Sequence, residues 1–151
     1  MTIAGVRSDA GELLIGVYAD SEGFRHAIAN ATKVGLMVDR SRVIGVAMRA
    51  ASGSQQIILA QLHPGRYAVI VIHDENDSGG LDVNMMGVPT EGYGFGNDAH
   101  GFLSAPAFEA AAVTVGDMDQ NIVIDLVYPP TASPQDQQEY DQFIGTPQPG
   151  K

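Results

Sequence analysis

Leu13, Ile15, Val17 and Ala19 alternate with Leu14, Gly16 and Tyr18, a period of two in residues that favour extended chain, and this predicts a strand. The opening Thr2-Ile3-Ala4-Gly5-Val6 reads as another. Residues 67–72, Tyr-Ala-Val-Ile-Val-Ile, are apolar on both faces, which predicts a central strand covered on both sides. The Pro64-Gly65 pair ahead of it marks a tight turn. Residues 43–50 and 56–62 predict two more strands, and Ala51-Ser52-Gly53-Ser54 between them supplies the turn of a hairpin. Residues 24–37 are rich in alanine and small side chains, a pattern open between one or two helical turns and an irregular crossover. From His73 to about Ala105 glycine and polar residues dominate, far beyond the roughly four to six residues of an ordinary connection. Long loops of this kind tend to carry function. Residues 108–115 and 122–127 predict a final pair of strands around Gly116-Asp117-Met118-Asp119.

This succession of short strands and turns, without an internal repeat, predicts an all-β fold. The expectation is a single antiparallel β-sandwich over residues 1–128 with one long Gly-rich loop, followed by a Pro/Gln-rich C-terminal tail, 129–151. A chain of 151 residues, 44% apolar and 17% charged, is sized and composed for one packed core. The tail, with its Pro-Pro, Ser-Pro and repeated Gln, cannot build a core. Within it Tyr140, Phe143 and Ile144 have helical spacing and are candidates to dock on the domain or on a neighbouring subunit, the alternative being an extension that docks nowhere.

Charge narrows the partners. Eight Lys and Arg against eighteen Asp and Glu give a net charge of -10, which repels a phosphate backbone, so nucleic acid is not an expected ligand. The same acidity suits a divalent cation or a basic protein surface, or serves solubility alone. Cysteine is absent, which excludes disulfides, thiolate catalysis and cysteine-held metals. No run approaches the ~20 apolar residues of a membrane helix. The start of the chain has no basic segment followed by an apolar stretch, so no signal peptide is expected in the sequence as it stands.

One segment carries chemistry. Asp74-Glu75-Asn76-Asp77-Ser78-Gly79-Gly80-Leu81-Asp82 is similar to the first nine positions of a calcium loop. Oxygen side chains stand at Asp74, Asn76, Ser78 and Asp82, a backbone carbonyl is on offer at Gly80, and Gly79 sits at the sharp turn. A hard cation needs several oxygens at about 2.3–2.6 Å, and such a turn folds alternate residues inward. The twelfth position is Met85 rather than a bidentate Glu, with Asp77 or Glu91 as candidate replacements. The competing reading is an Asx-rich turn whose side chains bond their own backbone. Downstream, Tyr93, Phe95 and Asn97 alternate with glycines, either as an exposed platform for a partner protein or sugar ring, or as plugs for the end of the sandwich. Met85 and Met86 beside them add adaptable apolar surface. Catalysis lacks parts: adjacent His73 and Asp74 point to opposite faces of a strand, and His26, His63 and His100 lie in separate segments without metal-ligand spacing. Ser21, Ser104 and Ser133 lack a nucleophile-elbow context.

The run from Leu62-His63-Pro64-Gly65-Arg66-Tyr67 through His73-Asp74-Glu75-Asn76, Gly80-Leu81-Asp82, Gly87-Val88-Pro89 and Glu91-Gly92-Tyr93-Gly94-Phe95 resembles the bacterial domain-of-unknown-function family 2141. The resemblance extends back to Leu14-Ile15-Gly16-Val17-Tyr18 and Ser21-Glu22-Gly23-Phe24, and forward to Ala107-Phe108-Glu109. It implies an immunoglobulin-like or transthyretin-like sandwich, exported to the periplasm or cell surface. The functional expectation is a non-enzymatic exported binding or assembly module, with calcium as candidate cofactor and a protein, other subunits or a carbohydrate as partner. The alternative is a structural or accessory subunit of a larger complex or filament, docking through its tail and edge strands; a metal-dependent hydrolase stands third.

Overall fold

The computed structural model describes residues 1–101 and 105–129. The strands are β1 (Thr2–Val6), β2 (Glu12–Tyr18), β3 (Ile44–Arg49), β4 (Gly53–Gln56), β5 (Gly65–Asp74), β6 (Gly92–Phe95), β7 (Ala112–Val115) and β8 (Val123–Asp125). Two short α-helices, α1 (Ser21–Asn30) and α2 (Phe108–Ala111), and a 3-10 turn at Gly96–Asp98 accompany them among the described residues. One sheet has the order β4-β1-β8; the other runs β3-β2-β5-β6, with β7 also on β5. The second sheet is antiparallel throughout, β5 pairing β6 over Ile70 to His73 and β7 over Gly65 to Ala68. In the first, β1 runs antiparallel to β4 and parallel to β8.

The period of two in β2 and β5 explains the layering. Odd-numbered Leu13, Ile15, Val17, Val69 and Val71 face the three-stranded sheet and bury Ile3, Val6, Ile124 and Leu126 between the sheets. Even-numbered Leu14, Tyr18, Ala68, Ile70 and Ile72 face the other way and are covered by Phe24, Ala27, Leu36 and Ala111. β2 and β5 are thus dry on both faces, whereas edge strand β3 turns Gly45, Ala47 and Arg49 to solvent; full burial of each large side chain stabilises the fold by about 1.5–3 kcal/mol. The all-β sandwich expected from the pattern is the fold, with an added helical layer. Among the described residues no helix is long and apolar enough to cross a membrane.

The first half of the segment left open between helix and crossover is helical, as part of α1, which starts three residues before it. Asp20 caps the helix, its Oδ1 accepting the Gly23 N–H at 2.7 Å, and Phe24 and Ala27 turn inward. The expected hairpin of residues 43–50 and 56–62 does not form: the strand found here, β4, falls on the expected turn and ends at Gln56, and it belongs to a different sheet from β3. Ile44, Val46, Met48 and Ala50 face the inter-sheet core from one side and Ile57 and Leu59 from the other. The alternation fits two strands facing each other across a core as well as it fits two strands paired edge to edge. Residues 108–115 begin with the single turn of α2 before β7, and β7 and β8 lie in different sheets rather than pairing together.

Candidate functional site

β5 ends at Asp74, and the chain folds back on that side chain. Asp74 Oδ1 accepts the Ser78 N–H at 2.9 Å and Oδ2 the Gly79 N–H at 2.7 Å. Asn76 Oδ1 also accepts from Ser78 N–H, at 3.1 Å, and the Asn76 amide donates to Asp82 Oδ2. Left-handed backbone at Asp77 (φ 55) and Gly79 (φ 93) makes the reversal. The Ser78 hydroxyl lies 3.4 Å from Asp74 Oδ1, 3.3 Å from the Gly80 carbonyl and 3.1 Å from Asp82 Oδ1. All five residues read as oxygen donors, Asp74, Asn76, Ser78, Gly80 and Asp82, are therefore brought together. Among the described residues no group of three His, Cys, Asp or Glu is arranged as metal ligands. A cation in this loop would rest on two carboxylates plus amide, hydroxyl and carbonyl oxygens.

The loop is seated on the segment after α1, where Leu81 N–H donates to the Ala31 carbonyl at 3.0 Å. Close approach is possible only because Gly35 lacks a side chain: a Cβ there would stand 1.7 Å from the Gly79 carbonyl oxygen. Beyond Asp82 the chain makes a small hairpin, with Thr90 N–H on the Asp82 carbonyl and Asn84 N–H on the Val88 carbonyl at 2.9 and 2.8 Å. Asn84 Oδ1 caps the tip by accepting from Met86 and Val88 N–H, and the tip presents Met85 and Met86 to solvent. A groove of about 600 Å³ runs beside the loop, lined by its Asp74, Asp77 and Asp82 and by Leu14, Val34 and Val38 among others.

Buried Glu91 joins these parts. Its Oε1 accepts the Glu75 N–H at 2.9 Å and its Oε2 the Asp82 N–H at 3.0 Å, so one carboxylate holds both the start and the end of the acidic loop. Burial raises its pKa; the two N–H donors oppose the shift, and the charges of Asp82 and Asp74 add to it.

The glycine–aromatic stretch is β6. Tyr93 and Phe95 stand opposite Ile72 and Ile70, both half-buried, and Phe95 packs edge-on against Phe24 with ring centres 6.2 Å apart. Gly92 and Gly94 face the inter-sheet core, where a Cβ would lie 2.2 Å from the Tyr128 ring and 2.8 Å from Ile124. The alternation thus lets the smaller sheet approach while the rings fill the opposite face. The Asn97 amide donates to the Ala110 and Ala112 carbonyls at 3.1 and 2.8 Å, fastening α2. Tyr140 and Phe143 lie outside the described residues.

Sequence reasoning missed a polar clasp at the same end of the sandwich. His73 shares the inward parity of Val69 and Val71 and is fully buried. Its Nε2 lies 2.8 Å from the Ala10 carbonyl, which can only accept, so Nε2 carries a proton; Nδ1 lies 2.7 Å from the Tyr128 hydroxyl. Arg7 forks onto Glu75 at 2.8 and 2.6 Å and lies 4.5 Å above the Tyr128 ring. The Arg7 hydrogen bond holds the Glu75 carboxyl below its usual range against the effect of burial. The signal available in the sequence was an imidazole at an inward strand position, which requires buried partners. A second cluster sets Ser41 Oγ 2.6 Å and His26 Nδ1 3.3 Å from opposite oxygens of Asp39. Burial pushes the Asp39 carboxyl up, but the Ser41 donors and His26 outweigh it and the net shift is downward. The carboxylate stands between hydroxyl and imidazole, whereas activating a serine nucleophile requires the imidazole in the middle.

An all-β, sandwich-like domain that displays a folded acidic loop and a methionine-tipped hairpin is the class these observations define. The bacterial family described as "Uncharacterized protein conserved in bacteria (DUF2141)" matches residues 1–123, and the chain belongs to it. No curated protein matches the chain, and no solved structure does.

Proposed function

We propose that the protein is an exported, non-catalytic binding module whose acidic loop, residues 74–82, takes a calcium ion and thereby holds a partner-binding surface in place. The observation that carries this reading is the convergence of Asp74 Oδ1, the Gly80 carbonyl and Asp82 Oδ1 around the Ser78 hydroxyl, each within 3.4 Å of it. A cation there would relieve the repulsion between the two aspartates. With two carboxylates and no bidentate glutamate, the expected affinity falls in the range of about 10⁻⁴–10⁻³ M seen for extracellular calcium modules. Such a site fills only where calcium is abundant, which supports export. The loop, hairpin and groove form one surface, acidic at its root and apolar at its tip, suited to a protein partner with a basic rim. Full burial of His73 and the order of groups around Asp39 support a non-catalytic role.

Thermal unfolding in 10 mM calcium and in chelator tests the reading. At that affinity calcium adds about 1.4–2.7 kcal/mol to the folded state. For a domain of this size that corresponds to roughly 5–10 °C in Tm. Magnesium, which demands tighter octahedral geometry, is expected to produce little shift. Asp82→Asn should abolish the calcium increment. An unchanged transition would overturn the calcium part and leave a self-bonded turn.

A further inference from the structure

We infer that the groove beside the acidic loop receives a lysine side chain of a partner protein, with the ammonium on Glu12 and the aliphatic stem on the apolar floor. The helical layer stops short of edge strand β3, and the groove lies in the space it leaves. Leu14 and exposed Ala47, opposite each other in the β2–β3 ladder, form the floor. Val34 and Val38, 51% and 62% exposed, stand on one wall, and the acidic loop is the other. The walls meet where Gly35 backs onto the Gly79 carbonyl. A volume of about 600 Å³ falls within the ~300–1,000 Å³ of ordinary ligand sites. Glu12 shares the face of Leu14 and is half-buried, yet among the described residues no hydrogen bond or ion pair engages its carboxylate. The other acids of the lining are engaged: Asp74 by the Ser78 and Gly79 N–H groups, Asp82 by the Asn76 amide, and Asp77 by Arg49 at 3.7 Å. A carboxylate that has lost part of its hydration and gained no partner is the group an incoming cation relieves.

Charge selects the occupant. Glu12, Asp74, Asp77 and Asp82 stand against Lys33, the single cation among the described lining residues, in a chain of net charge -10. That balance draws a cation and repels a second copy. A bare metal ion gains nothing from the exposed valines or from Ala47. A lysine, with a flexible four-carbon stem ending in a compact ammonium, matches an apolar floor that has a free carboxylate at its end. This names the partner chemistry of the surface proposed above and rests on that reading.

An NMR titration of the full chain in chelator with the peptide acetyl-Ala-Lys-Ala-amide tests this. The comparison is the same peptide with its lysine side chain acetylated, which keeps the stem and removes the charge. The lysine peptide is expected to move the amide signals of residues 12–14, 47 and 77–80 with a Kd of about 1–10 mM, and the acetylated one to bind roughly tenfold more weakly. Glu12→Gln should remove most of that preference at unchanged Tm, because the carboxylate it replaces bonds nothing in the free protein. Glu109→Gln, the same charge change on α2, should leave the preference intact, and Ala47→Phe, which fills the floor, should block both peptides. Signals that stay still up to about 50 mM peptide, equal affinity for the two peptides, a preference undiminished in Glu12→Gln, or binding that survives Ala47→Phe would each overturn the proposal. Because every titration is run in chelator, a failure here leaves the calcium shift of Tm standing, and a missing calcium shift leaves this result standing.

Discussion

Changing Glu91 to alanine is expected to cost about 3–4 kcal/mol of folding stability, read by chemical denaturation in chelator. Two backbone N–H groups, of Glu75 and Asp82, lose charge-assisted acceptors at 2.9 and 3.0 Å. Each such loss is worth roughly 1.5–3 kcal/mol, reduced here by the cost of keeping a buried carboxylate ionised. Glu91→Gln should lose about half as much, because the amide oxygen can still accept from one of the two donors. The deficit carries a pH signature. Burial raises the folded pKa of Glu91 above its ordinary 4.5, so between those values the folded chain binds more protons than the unfolded one. The stabilisation from this group is complete below about 4.5 and declines as pH rises through the folded value. The gap between wild type and Glu91→Gln should accordingly narrow from mild acid toward neutrality; a gap that widens would show that ionised Glu91 is the more stabilising form.

The second large effect is Phe24→Ala, expected to destabilise by about 3–5 kcal/mol, the range for truncating a buried aromatic. Phe24 is fully buried and meets Tyr18, Phe95 and Phe108 edge to face, with ring centres 6.1–6.3 Å apart. It pins α1 to the outer face of the larger sheet, so its loss should also loosen the 31–35 segment that seats the acidic loop. Denaturation midpoints measure the first effect, and hydrogen exchange at Leu81, whose N–H bonds the Ala31 carbonyl, measures the second. A loss under 1 kcal/mol would mean that the helical layer contributes little to the fold.

Legibility in the sequence followed the range of the interactions. β2 was readable because its side chains alternate with a period of two, and β5 was readable as central because it is apolar at both parities. The hairpin error came from the same period, which records which side chains are buried but not whether neighbouring strands pair or face each other. The five oxygen residues of the acidic loop were readable because their partners lie within a few positions. Glu91 was visible only as a spare carboxylate, since nothing local shows that it reaches two N–H groups 9 and 16 residues away. The clasp was out of reach for the same reason: Arg7 and Tyr128 are 121 positions apart and meet only after both sheets have formed. The glycines of β6 leave room for Ile124 and Tyr128, partners about thirty residues further along that no local pattern identifies.

The two dry faces of β2 and β5 bear on how the molecule comes apart. Leu13 and Leu14, or Val71 and Ile72, are neighbours on one backbone yet belong to opposite cores. Neither core can melt while the other survives, because losing either one removes the packing that keeps the shared strands flat and paired. Sandwich and helical layer therefore form a single cooperative unit, and damage on the helical side is transmitted to the inter-sheet side as lost global stability in addition to any local loosening.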